Sequence, residues 1–248
     1  MSDESRPYRT AAVIPAAGRG VRLGPGAPKA LRTLNGTPML IHAVRAMAAS
    51  RAVSLVVVVA PPDGAGEVKN LLDDHALPQR TDYLVVPGGE TRQESVRLGL
   101  DALPDNIDVV LVHDAARPLV PVDTVDAVIE AVRDGAPAVV PALPLADTVK
   151  EVEPGGKGTP EPVVATPVRA RLRAVQTPQG FDRDTLVRAH ESVVVDGDGA
   201  TDCAGMVEQL GGPVVVVPGH EEAFKVTRPL DLVLAEAVLA RRRANDGF

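Results

Sequence analysis

The sequence predicts a three-layer α/β sandwich: a mainly parallel sheet covered by helices on both faces, with a β-arm projecting from it. Three observations predict this. Short Val-rich runs bounded by turn residues alternate with helical patterns along almost the whole chain, the order that builds helices onto both sides of a sheet. The strand runs are continuously apolar instead of alternating, as expected of strands covered on both faces. Between 148 and 175 the alternation stops. There a β-prone run (148–152), a Gly/Pro-rich tip from Pro154 to Pro162 and a second run (163–166) read as a hairpin leaving the sheet.

Taken in order, the apolar run 11–15 gives a first strand ending at Pro15, and 39–49 repeats apolar residues at helical spacing. Ser-Leu-Val-Val-Val-Val-Ala at 54–60 is a second strand, followed by a helix at 66–74. The run 83–86 is a strand, 92–102 a helix, 109–113 a strand and 123–134 a helix. After the strand at 138–142 comes the arm; helices then follow at 183–191 and 204–210, a strand at 214–217 and a final helix at 230–243. Pro229 suits the first turn of that last helix, with Thr227 or Arg228 near its cap. Residues 1–248 read as a single domain with 148–175 as its arm, and no internal repeat interrupts them.

Composition excludes several function classes. A chain of 248 residues that is 45% hydrophobic and 24% charged can bury a sizeable core. Aromatics are 2% with no Trp, so that core must be aliphatic. A net charge of −7 argues against broad nucleic-acid binding, which needs basic patches. The basic run Arg241-Arg242-Arg243 reads as the solvated end of the last helix. One cysteine, Cys203, excludes an intramolecular disulfide and fits a reducing compartment; its sequence neighbours give no reason for an activated thiol. Residues 1–10 lack an apolar signal segment, and the longest apolar run, 53–60, is far shorter than the roughly 20 residues of a membrane span. The expectation is a soluble, cytoplasmic protein that binds neither membrane nor nucleic acid.

Three loops carry chemistry. Pro15-Ala16-Ala17-Gly18-Arg19-Gly20-Val21-Arg22 follows the first strand, with Pro28-Lys29 close behind. Small residues there let backbone N–H groups approach an anion, and Arg22 and Lys29 add fixed positive charge. Ligands of open α/β sheets sit outside the carboxyl ends of the strands, where this loop lies. It is neither of two familiar phosphate motifs. Gly156-Lys157 is followed by Gly158 where a P-loop needs Ser or Thr, and Gly18-x-Gly20 meets Leu23 where the dinucleotide fingerprint needs Gly. The second loop, His113-Asp114-Ala115-Ala116-Arg117-Pro118, sets a carboxylate three residues from a guanidinium that can fork onto phosphate. A local Asp114–Arg117 ion pair that merely orders the loop is the competing reading. His113 reads as a strand-end hydrogen-bonding residue. The third loop is Phe224-Lys225-Val226-Thr227-Arg228-Pro229, where Lys225 either faces the same edge or forms an exposed salt bridge.

Together with Thr177-Pro178-Gln179, these segments resemble the 2-C-methyl-D-erythritol 4-phosphate cytidylyltransferases of the non-mevalonate isoprenoid pathway, in order from about residue 11 to residue 239. The resemblance implies a nucleotide-diphospho-sugar-transferase-like fold, CTP and methylerythritol phosphate as substrates, and Mg²⁺ or another divalent metal carried mainly on the CTP phosphates. It also implies a homodimer built through the arm. By motif, Arg22 and Lys29 correspond to the residues holding the triphosphate and transition state, and Lys225 to the lysine beside the α-phosphate. Pro15, Ala16, Ala17 and Gly18 correspond to nucleotide-binding positions, while Gly88, Gly89 and Ser95 fall in the cytosine cradle. Asp114 and Arg117 match the substrate-side pair, Thr201 a substrate-side threonine, and Thr148 and Arg169 arm residues that reach the partner subunit's site. The chain departs from the family pattern at Ala30, where Gln often stands, and at Cys203, where an acidic residue is common. Three other readings remain open: transfer to another polyol phosphate such as ribitol 5-phosphate, a non-catalytic nucleotide binder, and an NAD-dependent oxidoreductase. Retention of both Lys29 and Lys225 speaks against the binder, and the missing third glycine against the oxidoreductase.

Overall fold

The structure, a computed structural model, describes residues 9–18, 28–78, 80–156, 158–192 and 202–246. In chain order, β1 (Thr10–Pro15) is followed by the hairpin β2 (Thr33–Leu34) and β3 (Thr37–Pro38), then α1 (Met39–Ala49) and β4 (Val53–Ala60). Next come α2 (Ala65–Asp73), β5 (Asp82–Pro87), α3 (Arg92–Asp101), β6 (Val109–Val112), α4 (Val122–Arg133) and β7 (Ala138–Pro144). The remainder comprises β8 (Glu151–Val152), β9 (Val163–Ala165), β10 (Arg173–Val175), β11 (Gln179–Asp182), α5 (Arg183–Ser192), α6 (Cys203–Gln209), β12 (Val215–Pro218) and α7 (Pro229–Asp246).

The main sheet runs β5–β4–β1–β6–β11–β7, with β12 on the far edge of β7 and β10 beside β7 in continuation of β11. β4 and β6 flank β1 in parallel, β5 is parallel to β4, and β12 is parallel to β7. β11 is antiparallel to both β6 and β7, so those two point the same way.

The continuously apolar strands feed two cores, because successive side chains leave opposite faces of a strand. Ala12 and Ile14 of β1 join Val56 and Val58 of β4 and Leu111 of β6 under α1, α2 and α4. Ala11 and Val13 join Val57, Val59, Val110 and Val112 under α3, α5 and α6. Neither set tolerates water, which is why the strands lack polar alternation. Val125, Val128, Ile129 and Val132 show how α4 buries a single 3.6-residue stripe. Phe181 is the one aromatic side chain buried among the described residues, so the core is aliphatic as composition predicts. α7 packs Ala235 and Val238 into a smaller cluster with Leu34, Met39, Leu119 and Val226. No described helix is long and apolar enough to cross a membrane.

The six predicted strands and seven predicted helices are all present, with ends shifted by at most three residues. Three elements differ from expectation. Asn35 and Gly36, at φ 49° and 78°, turn the β2–β3 hairpin; Asn-Gly is the pair such turns favour, although the two-residue strands it joins are too short to show as apolar runs. β11 carries no strand signal in the sequence, since Gln179-Gly180-Phe181-Asp182 has one large apolar residue and no period. The region from 148 to 175 pairs as β8 with β9 over a few residues, but Arg173–Val175 returns to the main sheet against β7. None of the described residues from 143 to 175 is buried. The basic run of α7 is not simply solvated: Arg241 and Arg242 both pair with Glu222, and Arg242 donates to the Leu119 carbonyl 2.6 Å away.

Candidate active site

Because β4 lies on one side of β1 and β6 on the other, chain connections diverge at the β1/β6 boundary. A crevice forms at such a switch point, outside the carboxyl ends of the strands. Here it is a cleft of about 740 Å³ including its open mouth, lined by loops from five parts of the chain. Pro15 to Gly18 follow β1, Lys29 and Ala30 start a 3₁₀ turn, Gly89 to Arg92 lead into α3, Asp114 to Ala116 follow β6, and Lys225 precedes α7.

The floor is set by backbone and small side chains. Ala16 N–H donates to the Val59 carbonyl at 2.8 Å, fixing the loop to β4. Gly88 N–H donates to the Ala60 carbonyl at 2.8 Å, and Gly89 N–H to Ser95 Oγ at 3.2 Å. A Cβ on Gly88 would lie 2.9 Å from Ser95 Oγ, 3.0 Å from the Ala60 carbonyl oxygen and 3.1 Å from Ala17 Cβ. Three elements therefore close on this position, and any larger residue would force at least one of them to shift. Thr91 caps α3 by accepting from Glu94 N–H at 3.0 Å, and Glu94 reaches back to accept from Glu90 N–H at 2.8 Å. A Cβ on Gly89 would displace that returning Glu94 side chain.

Asp114 is the electrostatic centre. Its Oδ2 lies 2.8 Å from Lys225 Nζ and 3.7 Å from Arg117 Nε, and its Oδ1 accepts from Arg92 at 3.3 Å. Burial by itself would raise the Asp114 carboxyl; Arg92, Lys225 and Arg117 outweigh it and hold the group well below the usual carboxylate range. Lys225 reaches this carboxylate because Val226 N–H donates to the Ala116 carbonyl at 2.8 Å, tying the end of the chain to the loop after β6.

Behind Asp114, the Thr177 hydroxyl accepts from Asp114 N–H at 3.1 Å and donates to His113 Nδ1 at 2.9 Å. His113 Nε2 then donates to the Arg117 carbonyl at 3.0 Å. Burial pushes His113 down to about 4, so at neutral pH it is an uncharged strut with both nitrogens used. That matches its reading as a strand-end hydrogen-bonding residue. The Thr177–Pro178 peptide is cis. Gln179, 1% exposed, donates to Asp202 Oδ2 at 2.7 Å and accepts from Ala204 N–H at 3.2 Å, holding the start of α6 against the sheet. Burial pushes the Cys203 thiol up to about 11, so it is no thiolate nucleophile.

The sequence pattern of the 2-C-methyl-D-erythritol 4-phosphate cytidylyltransferases (IspD) matches residues 10–241, across every loop of this cleft. The chain belongs to this family. It is 85% identical to the 2-C-methyl-D-erythritol 4-phosphate cytidylyltransferase of Streptomyces avermitilis over all of both chains. It is 50% identical to that of Saccharopolyspora erythraea, covering 92% of this chain and 98% of the relative. Among solved structures it resembles the Thermus thermophilus enzyme of the same name at 34% identity and TM-score 0.68, over 92% of this chain and 97% of that one. It also resembles the 4-diphosphocytidyl-2C-methyl-D-erythritol synthase of Anaerococcus prevotii at 26% identity and TM-score 0.77, over 95% of this chain and 100% of that one. The chain is thus a nucleotidyltransferase of the IspD family, with the α/β fold that its sequence predicts.

Within this IspD framework the structure brings Pro15, Ala16, Ala17, Gly18, Lys29, Gly89, Ser95, Asp114 and Lys225 to one cleft. Gly88 stands directly behind Ser95. Arg117 is turned away: its guanidinium donates to the Ala223 carbonyl at 2.7 Å and the Val175 carbonyl at 3.4 Å, joining the loop to two neighbouring segments. Thr148 and Arg169 are exposed and do not line the cleft of their own chain. Arg22 and Thr201 lie outside the described residues. Sequence reasoning missed Arg92, which lines the cleft and binds Asp114. Its position just behind the Gly88-Gly89 turn, at the start of a capped helix, was the available signal.

Proposed function

We propose that this chain transfers CMP from CTP to 2-C-methyl-D-erythritol 4-phosphate, releasing pyrophosphate and 4-diphosphocytidyl-2-C-methyl-D-erythritol, a precursor for isoprenoids. The observation that carries the reading is the meeting of Lys29, from near the start of the chain, and Lys225, from near its end, in one glycine-floored cleft. Lining side chains there include three cations against two carboxylates, although the protein as a whole carries −7.

In the reaction a phosphate oxygen of the acceptor forms a bond to the α-phosphorus of CTP, and the bond from that phosphorus to the β-phosphate bridging oxygen breaks. The nucleophile is already an anion, so no side chain need remove a proton, and the neutral, fully bonded His113 is consistent with that. What the protein must supply is orientation and positive charge where two anions meet. Lys29, joined by Arg22, is assigned to the triphosphate and Lys225 to the α-phosphate, with the loop 15–18 beneath. Gly88, Gly89 and Ser95 shape the base pocket. Asp114 and Thr201 are assigned to the acceptor side, where Arg117 joins them only by leaving the Ala223 and Val175 carbonyls; Thr148 and Arg169 from the arm of a second subunit of a homodimer complete it.

Among the described residues no three His, Cys, Asp or Glu side chains group as a metal cage, and Asp114 is already held by cations. The donors that would suit Mg²⁺ are the triphosphate oxygens, hard ligands that this ion takes together with water. When bound there, the ion would lower the negative charge that the second anion must approach. A lone, buried cysteine fits an enzyme of a reducing compartment.

Pyrophosphate release tests the reading. Release is expected with CTP, methylerythritol phosphate and Mg²⁺ together, and is expected to stop with excess chelator. Equal rates with ribitol 5-phosphate would move the assignment to another polyol phosphate, and silence with every pair would reject it.

A further inference from the structure

Asp114 has two oxygens, and each is committed to a different part of the chain. Oδ2 takes Lys225, which lines the cleft, at 2.8 Å and the more distant Arg117 at 3.7 Å. Oδ1 takes only Arg92 among the described partners, at 3.3 Å. A carboxylate held at one oxygen can still rotate about its last bond; one held at both has a fixed plane. The Lys225 ammonium, at the end of four rotatable bonds, inherits its direction from that plane.

Arg92 is also well placed to link segments. It follows Gly88-Gly89-Glu90-Thr91, so its backbone belongs to the loop proposed to hold the base. Its guanidinium touches Asp114 on the acceptor side and donates to Cys203 Sγ at 3.9 Å, at the opening of α6 and two residues from Thr201. Its backbone is anchored by the Thr91 cap and by the Glu94–Glu90 return, so it is a fixed post and not a loose surface arginine. The planar fork of arginine can serve both neighbours at once, which an ammonium could not do with the same geometry.

We propose that Arg92 is a positioning residue: it locks Asp114 from the side opposite Lys225, so that Lys225 is presented to the reacting phosphates. Arg92 acts through Asp114 and not by touching the nucleotide. The inference rests on the proposed cytidylyl transfer; failure of that reading would show as an inactive wild-type enzyme, whereas failure of this one shows only in variants of an active enzyme.

The test is steady-state kinetics on Arg92→Gln, Asp114→Asn and the double variant of the full chain, with melting curves alongside. Arg92→Gln is expected to lower kcat by about tenfold to a hundredfold, the scale on which loosened orientation acts, while the KM for CTP changes less than about twofold. In the Asp114→Asn background the same change is expected to cost less than about threefold more, because the residue it acts through is already gone. If Arg92→Gln does not fold, Arg92→Lys replaces it, with the same expected split because a single ammonium cannot bridge Asp114 and Cys203. A parallel rise in the KM for CTP would overturn the proposal by making Arg92 a nucleotide contact. Multiplying losses in the double variant, or an unchanged kcat, would overturn it as well.

Discussion

Lys225 and Arg169 are both cations assigned to phosphate, and the molecule holds them in opposite ways. Lys225 meets a buried carboxylate whose other oxygen is taken by Arg92 and whose backbone N–H is taken by Thr177. Arg169 stands in a stretch where no described residue is buried, and its guanidinium reaches back to the Ala146 carbonyl of the same stretch. Val163, Val164 and Val168 beside it are 57%, 63% and 65% exposed. The cleft is organised by its own chain before any ligand arrives. The arm has charges and apolar side chains but no core to set them against, which is what a segment meant to pack on a second copy would look like.

The largest effects are expected in the cleft. Lys225→Met and Lys29→Ala should each lower kcat by roughly 10²–10³, the cost of removing one preorganised group from a transition state, with circular dichroism unchanged. Turnover within a few-fold of wild type in either folded variant would remove that lysine from the mechanism.

Acid should strike the cleft region next. His113 and His190 are both held down to about 4 by burial, so between pH 6.5 and 4 the unfolded chain binds protons that the folded chain refuses. Stability therefore falls as pH falls through that window, by up to about 1.4 kcal/mol per pH unit for each histidine. Asp114, held low in the folded state, continues the loss below the ordinary carboxylate range. The arm contains no histidine. Urea melts at intervals from pH 7 to 4.5 would check this, and a flat profile down to pH 5 would contradict the buried, neutral histidines.

The arm should answer to substrate instead. Arg169→Ala is expected to raise the KM for methylerythritol phosphate by about tenfold or more, the worth of a charge-assisted fork on phosphate, with the KM for CTP nearly unchanged. Mixing and exchanging it with Lys29→Ala gives the sharper comparison. If each site takes Arg169 from the partner, mixed dimers contain one doubly damaged and one intact site, and about a quarter of wild-type activity should return at equal amounts. No recovery after verified subunit exchange would place Arg169 and Lys29 in the same chain's site.

The smallest effect belongs to the arm's apolar side chains. Val164→Ser should change the folding stability of a subunit by no more than about 0.5 kcal/mol, while weakening self-association in sedimentation. A large loss of stability without a change in association would mean that the arm packs on its own subunit.

Much of this was legible because the physical signals are local. Continuous Val-rich runs gave the parallel strands, the stripe of Val125, Val128, Ile129 and Val132 gave α4, and loops ending those strands had to lie at one edge of the sheet. The identities of Lys29, Asp114 and Lys225 marked that edge as a place for anions. The sequence could not by itself give β11, because Gln179 is buried by its bonds to Asp202 and Ala204 and not by its hydropathy. Nor could it separate Arg117 from Arg92. Both are arginines near glycine or alanine loops, yet one guanidinium is spent on backbone carbonyls and the other faces the cleft. Periodicity and residue type determined which elements form and which edge carries the charge. Arg117, three residues on, lies within local reach of Asp114. Only tertiary packing decided the rest, because the other partners of Asp114 are residues 92 and 225, and no local rule spans such separations.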